Sequence, residues 1–329
     1  MAPDADAGKS TSPRSDPFAP LTSQHLAVSD GHEIYVETIG NAGGIPAVYL
    51  HGGPGSGCQP DHRKLFDPEC FHAVLFDQRG AGKSRPKGGR DNNTLPHLIA
   101  DLEIIRETLG FERWMIVGGS WGATLALAYA EAYPTRVSGI VLRATFLGTR
   151  AELDGAFLEA LPRHYPELYQ DFQSILPAGE QETLLESYWR RILDPDTAIH
   201  GPAARAWQAT ESILSEHTPN KTQLDLNSLN STRALPSTPF MEAHYFQNDC
   251  FMRQGQLLAE AGKLKGIPGI IVQGRYDFLC PPSTSHALAA VWPDAEVRMV
   301  EGAGHTLYDP GVRDAVMKAI ADMASRITG

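Results

Sequence analysis

Residues 118–122 read Gly-Gly-Ser-Trp-Gly and run directly into "ATLALAYA". A serine between glycines, where a strand turns sharply into a helix, fits the G-x-S-x-G arrangement. There a strained turn lifts the hydroxyl above a sheet as a nucleophile, and glycines two residues either side keep Cβ atoms out of the turn. A hydroxyl alone is a weak nucleophile: it needs a base, and the base needs an orienting carboxylate. With the nucleophile on such a turn, the partners follow in the order Ser, Asp, His at the ends of later strands. "IIVQGRYD" ends at Asp277 and "VRMVEGAGH" ends at His305, so Ser120, Asp277 and His305 form a candidate triad. Acyl transfer also needs N–H donors for the developing oxyanion. Trp121, the residue after the serine, offers one. The loop "HGGPGSG" at 51–57 follows the apolar run "AVYL" and offers the other from Gly53, where no Cβ blocks the approach of a substrate.

These residues need elements to hold them. "EIYVETI" (33–39) alternates as a half-buried strand does, and apolar runs at 46–52, 72–80, 114–120, 137–144, 268–277 and 295–305 each close on or near a turn signal. Continuous apolar runs belong to strands covered on both faces, as in a parallel sheet. Helical patterns fall between them at 95–109, 121–133, 283–291 and 311–327. Alternating strand and helix predicts an open α/β sheet. The rhythm stops after Phe146 and resumes near 266, which predicts a mainly helical cap over 147–262 inserted into a core of 21–146 and 263–329. The Pro-, Ser- and Asp-rich start predicts a flexible tail over 1–20.

Composition narrows the function classes. The chain has 329 residues and a formal net charge of −11, with no Lys/Arg-rich run, which argues against nucleic-acid binding. Its four cysteines, Cys58, Cys70, Cys250 and Cys280, form no CxxC pair and read as free thiols in a reducing compartment. No secretory signal and no membrane-length apolar run is present, so the cytoplasm is the expected location. "GAGKS" (80–84) imitates the end of a phosphate-binding loop, but Asp77 stands where that motif requires glycine. "FDQRGAGKS" instead predicts a structured turn, with Asp77 and Arg79 bracing the loop that carries Gly53. No metal-ligand spacing is found, and no cofactor is implied. The sequence leaves the oligomeric state open.

Taken together, "HGGPG", "FDQRGAGKS", "GGSWGATLALAYAEAYP", "LR" at 142–143, "GRYD" and "GAGH" resemble the proline iminopeptidases, from about Leu21 to the C-terminus. The resemblance implies an α/β-hydrolase fold, with a mostly parallel central sheet flanked by helices and an inserted mainly helical cap. It implies a serine aminopeptidase that releases an N-terminal proline, or a related residue, from a small peptide or amide through an acyl-enzyme. It also implies that two cap glutamates hold the substrate's free amino group: Glu211 in "AWQATE" and Glu242 in "MEAHYF". Paired carboxylates in a closed pocket favour a cation and disfavour a blocked N-terminus. Arg143 and Phe146, in "LRATF", match positions assigned to the pocket wall. The chain departs from the family's cap patterns at Thr210, Ala243 and "DGAFLE" (154–159), where bulkier residues are usual, and this predicts a roomier pocket. Two other readings keep the same residues: an amidase or esterase for another small amine-bearing substrate, and a non-catalytic binding protein. The intact Ser, Asp and His and both donor segments weigh against the last.

Overall fold

A computed structural model describes residues 16–231 and 233–329. The first fifteen residues of the expected tail lie outside the described residues. Eight strands form one sheet among the described residues, in the order β1-β2-β4-β3-β5-β6-β7-β8. The strands are β1 (Thr22–Ala27), β2 (Glu33–Gly40), β3 (Ile45–Leu50), β4 (Phe71–Phe76), β5 (Trp114–Ser120), β6 (Val137–Thr145), β7 (Gly269–Gly274) and β8 (Ala295–Val300). β1 pairs antiparallel with β2, and β2 pairs antiparallel with β4. From β4 through β8 every pairing is parallel.

The central strands β3, β4, β5, β6 and β7 are the continuous apolar runs of the sequence, and nearly all their residues are buried. Alternate residues feed two cores, as the two-residue period of a strand requires. Val48, Leu50 and Ile116 face one core; Ala47, Tyr49, Met115 and Val117 face the other. Helices α1 (Leu95–Thr108) and α2 (Trp121–Ala132) contribute Leu98, Leu102 and Leu125 to the first core. After β6 the chain is helical until β7: α3 (Arg150–Asp154), a π-helical turn over Gly155–Ala160, α4 (Leu161–His164), α5 (Pro166–Ser174), α6 (Leu184–Ile192), α7 (Thr197–Ser215), α8 (Thr238–Phe246) and α9 (Gln256–Glu260). Its aromatic interior, including Phe172, Tyr188, Trp189 and Trp207, is continuous with the first core. α10 (Pro282–Val291) covers that face of β7 and β8, and α11 (Val312–Thr328) covers the opposite face of β6 and β7.

β1 is the element the sequence reading lacks. "TSQHLA" has no apolar alternation, because five of its six residues are exposed on the edge of the sheet. Its place comes from backbone pairing with β2, which leaves no periodic trace in the side chains.

Candidate active site

Ser120 ends β5 at φ 56° and ψ −124°, a backbone conformation that a residue with a Cβ rarely adopts. The glycines on either side make it possible. A Cβ on Gly118 would run into the Gly122 carbonyl, and one on Gly122 would run into the Leu50 carbonyl of β3. Trp121 then opens α2, so its N–H has no carbonyl to bond within the helix and lies at the helix's positive end. Gly53 sits beyond β3 at φ 108°, where a Cβ would stand 2.7 Å from the Gly55 nitrogen. Gly53 and Ser120 line the same cavity.

The loop carrying Gly53 is tied to α2 through one side chain that the sequence did not single out. The Gln78 N–H donates to His51 Nε2 at 3.0 Å, and Gln78 Nε2 donates to the His51 carbonyl at 2.9 Å. Gln78 Oε1 accepts from Trp121 Nε1 at 2.9 Å. With Nε2 accepting, His51 Nδ1–H donates to the Gly52 carbonyl at 2.9 Å, and burial pushes the imidazole pKa down, keeping it neutral. Asp77 does brace this region: it accepts from the Cys58 N–H at 2.7 Å and the Lys83 N–H at 2.8 Å. Arg79 does not. Its guanidinium is fully buried and bidentate on Asp101 of α1, at 2.7 and 2.8 Å, with Ser29 and the Asn92 carbonyl as further partners. A planar fork finds its best match in a buried carboxylate, and that carboxylate lies away from the Gly53 loop.

Asp277 follows β7 and is buried. Its Oδ1 accepts from the Leu279 and Cys280 N–H groups at 3.0 and 2.8 Å. This leaves Oδ2 for His305 Nδ1, 2.9 Å away. A carboxylate accepts only, so Nδ1 carries the proton and Nε2 is free to take one. His305 and Ser120 line one cavity of about 260 Å³. The histidine loop is fixed from the helical segment as well. The carbonyl of Ser215, the last residue of α7, accepts from the N–H groups of His305 and Thr306 at 2.9 and 3.0 Å. Asp309 accepts from the Gly304 N–H at 2.5 Å and the His217 N–H at 3.2 Å. Neither contact is signalled by spacing or motif, because each joins segments far apart in the chain.

Glu211 on α7 and Glu242 on α8 line the same cavity. Glu242 is fully buried; its Oε2 accepts from Trp207 Nε1 at 2.8 Å, and Oε1 has no partner among the described residues. Burial raises both carboxyl pKa values, and the charge of Glu211 raises that of Glu242 further. Both shifts favour the protonated form, and a cation held between the two carboxylates would favour the ionised form.

Among the described residues, no group of three His, Cys, Asp or Glu side chains is placed to hold a metal ion. No helix among them is long and apolar enough to cross a membrane. Residues 46–312 match the family model of the alpha/beta hydrolase fold. The chain is 40% identical over 303 residues to a proline iminopeptidase of Arabidopsis thaliana, covering 90% of this chain and 78% of that one. It is also 40% identical over 308 residues to a proline iminopeptidase of Neisseria meningitidis serogroup B, covering 92% and 96%. The chain belongs to the proline iminopeptidase family. Solved structures share the fold at lower identity. A proline iminopeptidase of Mycobacterium smegmatis aligns with a TM-score of 0.55 and 18% identity over 93% of this chain and 99% of that one. An esterase from a Rhodococcus species aligns at 0.56 and 20% over 93% and 100%.

In this member of the proline iminopeptidase family, Arg143 and Phe146 fall on different walls. Arg143 lines the main cavity, with its guanidinium against Gly119 and Nη1 donating to the His305 carbonyl. Phe146 lines a smaller apolar recess of about 30 Å³ that also touches Ser120, Gly53 and Glu211. Phe157, Phe246, Leu153 and Ala156 complete that recess with Leu279 and Cys280. Of the departures behind the expected roomier pocket, Thr210 and Ala243 are fully buried and line neither cavity, whereas Ala156 of "DGAFLE" lines the recess. Behind the recess, Phe157 stacks on Trp207 at 4.6 Å, and Trp189 and Trp207 both pack towards Phe246. Tyr49, His62, Thr306 and Tyr308 also line the main cavity; they come from four loop or strand positions with no shared motif.

Proposed function

We propose that this chain is a serine hydrolase that releases an N-terminal proline from short peptides through an acyl-enzyme. The observation that carries it is the meeting, in one cavity, of Ser120 and His305 with the half-buried Glu211 and the buried Glu242. The glutamates hold the substrate's free ammonium group, so only the first residue of a chain can present its carbonyl to Ser120. The small apolar recess beside Ser120 takes the pyrrolidine ring, with Phe146 and Phe157 as its walls and Arg143 flanking the main cavity. The segment 147–262 serves as the cap that brings both glutamates over the sheet.

Ser120 Oγ attacks the prolyl carbonyl carbon while His305 Nε2 accepts the hydroxyl proton. The N–H groups of Gly53 and Trp121 hold the oxyanion; one such donor is commonly worth about 10²–10³ in rate. His305 then gives its proton to the leaving nitrogen, the C–N bond breaks, and the shortened peptide departs. Water, deprotonated by His305, attacks the acyl-enzyme and frees proline. Asp277 holds the imidazole orientation throughout. Four free cysteines fit a reducing location such as the cytoplasm.

The test is a panel of 4-nitroanilides of proline, hydroxyproline, alanine and N-acetylproline. Turnover of the proline compound, near-complete rejection of the N-acetyl form, and a fall of about 10⁴-fold or more in kcat for Ser120→Ala are expected. Equal turnover of blocked and free proline would overturn the reading, as would a Ser120→Ala protein with a tenth of normal activity.

A further inference from the structure

A second cavity, with a volume of about 640 Å³, lies between α7 and residues 216–231 and 233–236. That volume is in the range of pockets built for ligands of several hundred daltons. Neither the triad nor the glutamates line it.

Helix α7 borders both spaces. Residues three and four apart share a helix face, and neighbouring faces overlap. Gln208, Glu211, Ser212 and Ser215 turn to the catalytic cavity, while Arg205, Gln208, Ala209, Ser212, Ile213 and Glu216 turn to the larger one. Gln208 and Ser212 belong to both walls. Ile213, Leu224 and Leu229 give the larger cavity an apolar lining. Arg205, Lys221 and Arg233 line it against two acids, Glu216 and Asp225. The Arg205 guanidinium is engaged by the carbonyls of Ser231, Arg233 and Ala234, which leaves Lys221 and Arg233 as the exposed cations of the lining. The charge is opposite to that of the glutamate pair next door.

We infer that this second cavity receives the part of a peptide substrate that lies beyond the scissile bond, with its terminal carboxylate directed to the Lys221 and Arg233 side. This rests on the aminopeptidase reading, which anchors the first residue at Glu211 and Glu242. A peptide fixed there has no residue ahead of proline, so every further residue extends on the leaving-group side. Gln208 and Ser212 offer polar side chains to its backbone at the crossing, and the apolar lining takes its side chains. A zwitterionic oligopeptide then has each end facing opposite charge, which sets the preferred substrate as a free peptide of several residues rather than a dipeptide.

The experiment compares kcat/KM for Pro-Ala, Pro-Ala-Ala and Pro-Ala-Ala-Ala-Ala, each with a free and an amidated C-terminus, with proline 4-nitroanilide as reference. A rise of about tenfold or more from dipeptide to pentapeptide is expected, and amidation of the pentapeptide lowers it several-fold. Ala209→Trp, which fills the larger cavity, flattens the length dependence relative to the anilide. Lys221→Glu with Arg233→Glu, both at exposed positions, removes or reverses the preference for a free carboxylate. A flat length profile with an active anilide overturns the inference, as does a length preference unchanged by both variants. Failure to cleave any proline substrate, anilide included, overturns the functional reading beneath it instead.

Discussion

Glu242 is the residue whose environment is most at odds with its ordinary chemistry. It is fully buried with one oxygen unpartnered, and burial and Glu211 both raise its pKa. The protonated pair is a poor ammonium site, and the ionised pair is a good one. As pH rises above the ordinary carboxylate range and through the raised value, kcat/KM for a free-amine substrate therefore rises. Glu242→Gln abolishes that limb and lowers kcat/KM for the amine by about 10- to 100-fold, the worth of a charge-assisted hydrogen bond, while a small neutral ester loses little. pH profiles of both substrates check this; equal losses on the two would point to damaged packing. Cys280 makes the opposite case. It is buried, its thiol pKa is raised well above the usual range, and it lines the apolar recess, so it is no nucleophile. Cys280→Ser keeps activity and loses sensitivity to bulky thiol reagents. Inactivity comparable to Ser120→Ala would refute that assignment.

At the scale of elements, the proposed mechanism requires two N–H groups from different segments, those of Gly53 and Trp121, to be held in one geometry. Gln78 bonds both the His51 loop and the Trp121 indole, so it sets the position of the Gly53 segment relative to the start of α2. Gln78→Met preserves length and removes every side-chain hydrogen bond. The expected result is a loss of about 10- to 100-fold in kcat with little change in KM, because misplaced donors fail mainly in the transition state. Gln78→Glu keeps the acceptor for Trp121 and recovers part of the rate. Steady-state kinetics on one anilide decide it; a rise in KM alone would place Gln78 outside oxyanion stabilisation. The tie between α7 and the histidine loop has the same logic: the Ser215 carbonyl holds the helix of Glu211 to the His305 loop, so the proposed amine anchor and the proposed base are held together.

On the scale of the molecule, Glu131 is a cost that the fold carries. It lies on α2 where that helix packs against α9 and the chain returns to β7. It is buried with both oxygens unpartnered, and burial and then Glu260 push its pKa up to about 8. A folded-state value above the unfolded one means that the folded form binds the proton more tightly. Its contribution is intact below about pH 4.5, declines as pH rises towards about 8, and is flat beyond. Glu131→Gln therefore raises Tm, and the gain over wild type widens from pH 5 to pH 8. Calorimetry at three pH values in that window tests this; a gain independent of pH would exclude the buried charge as its source.

Ser120, Trp121, Gly53, Asp277 and His305 were legible in the sequence because each sits at the end of an apolar strand run, where a local pattern and a local chemistry coincide. The parallel order of the central strands was legible for the same reason: burial on both faces writes itself into consecutive residues. Glu211 and Glu242 were legible only through family resemblance, since a carboxylate on a helix otherwise reads as a solvated residue. Gln78, the Ser215 clamp, Asp309 and the buried pairing of Arg79 with Asp101 were not legible at all. Each joins segments that are distant in the chain through the polar atoms of one residue, and a single residue has no period. The inward placement of Thr210 and Ala243 was likewise decided by packing, because helix rotation within an aromatic interior fixes which side chains reach a cavity. The sequence by itself determined the chemistry and the sheet that presents it; only the tertiary structure decided which distant groups hold that chemistry in register, and that α7 stands between two cavities.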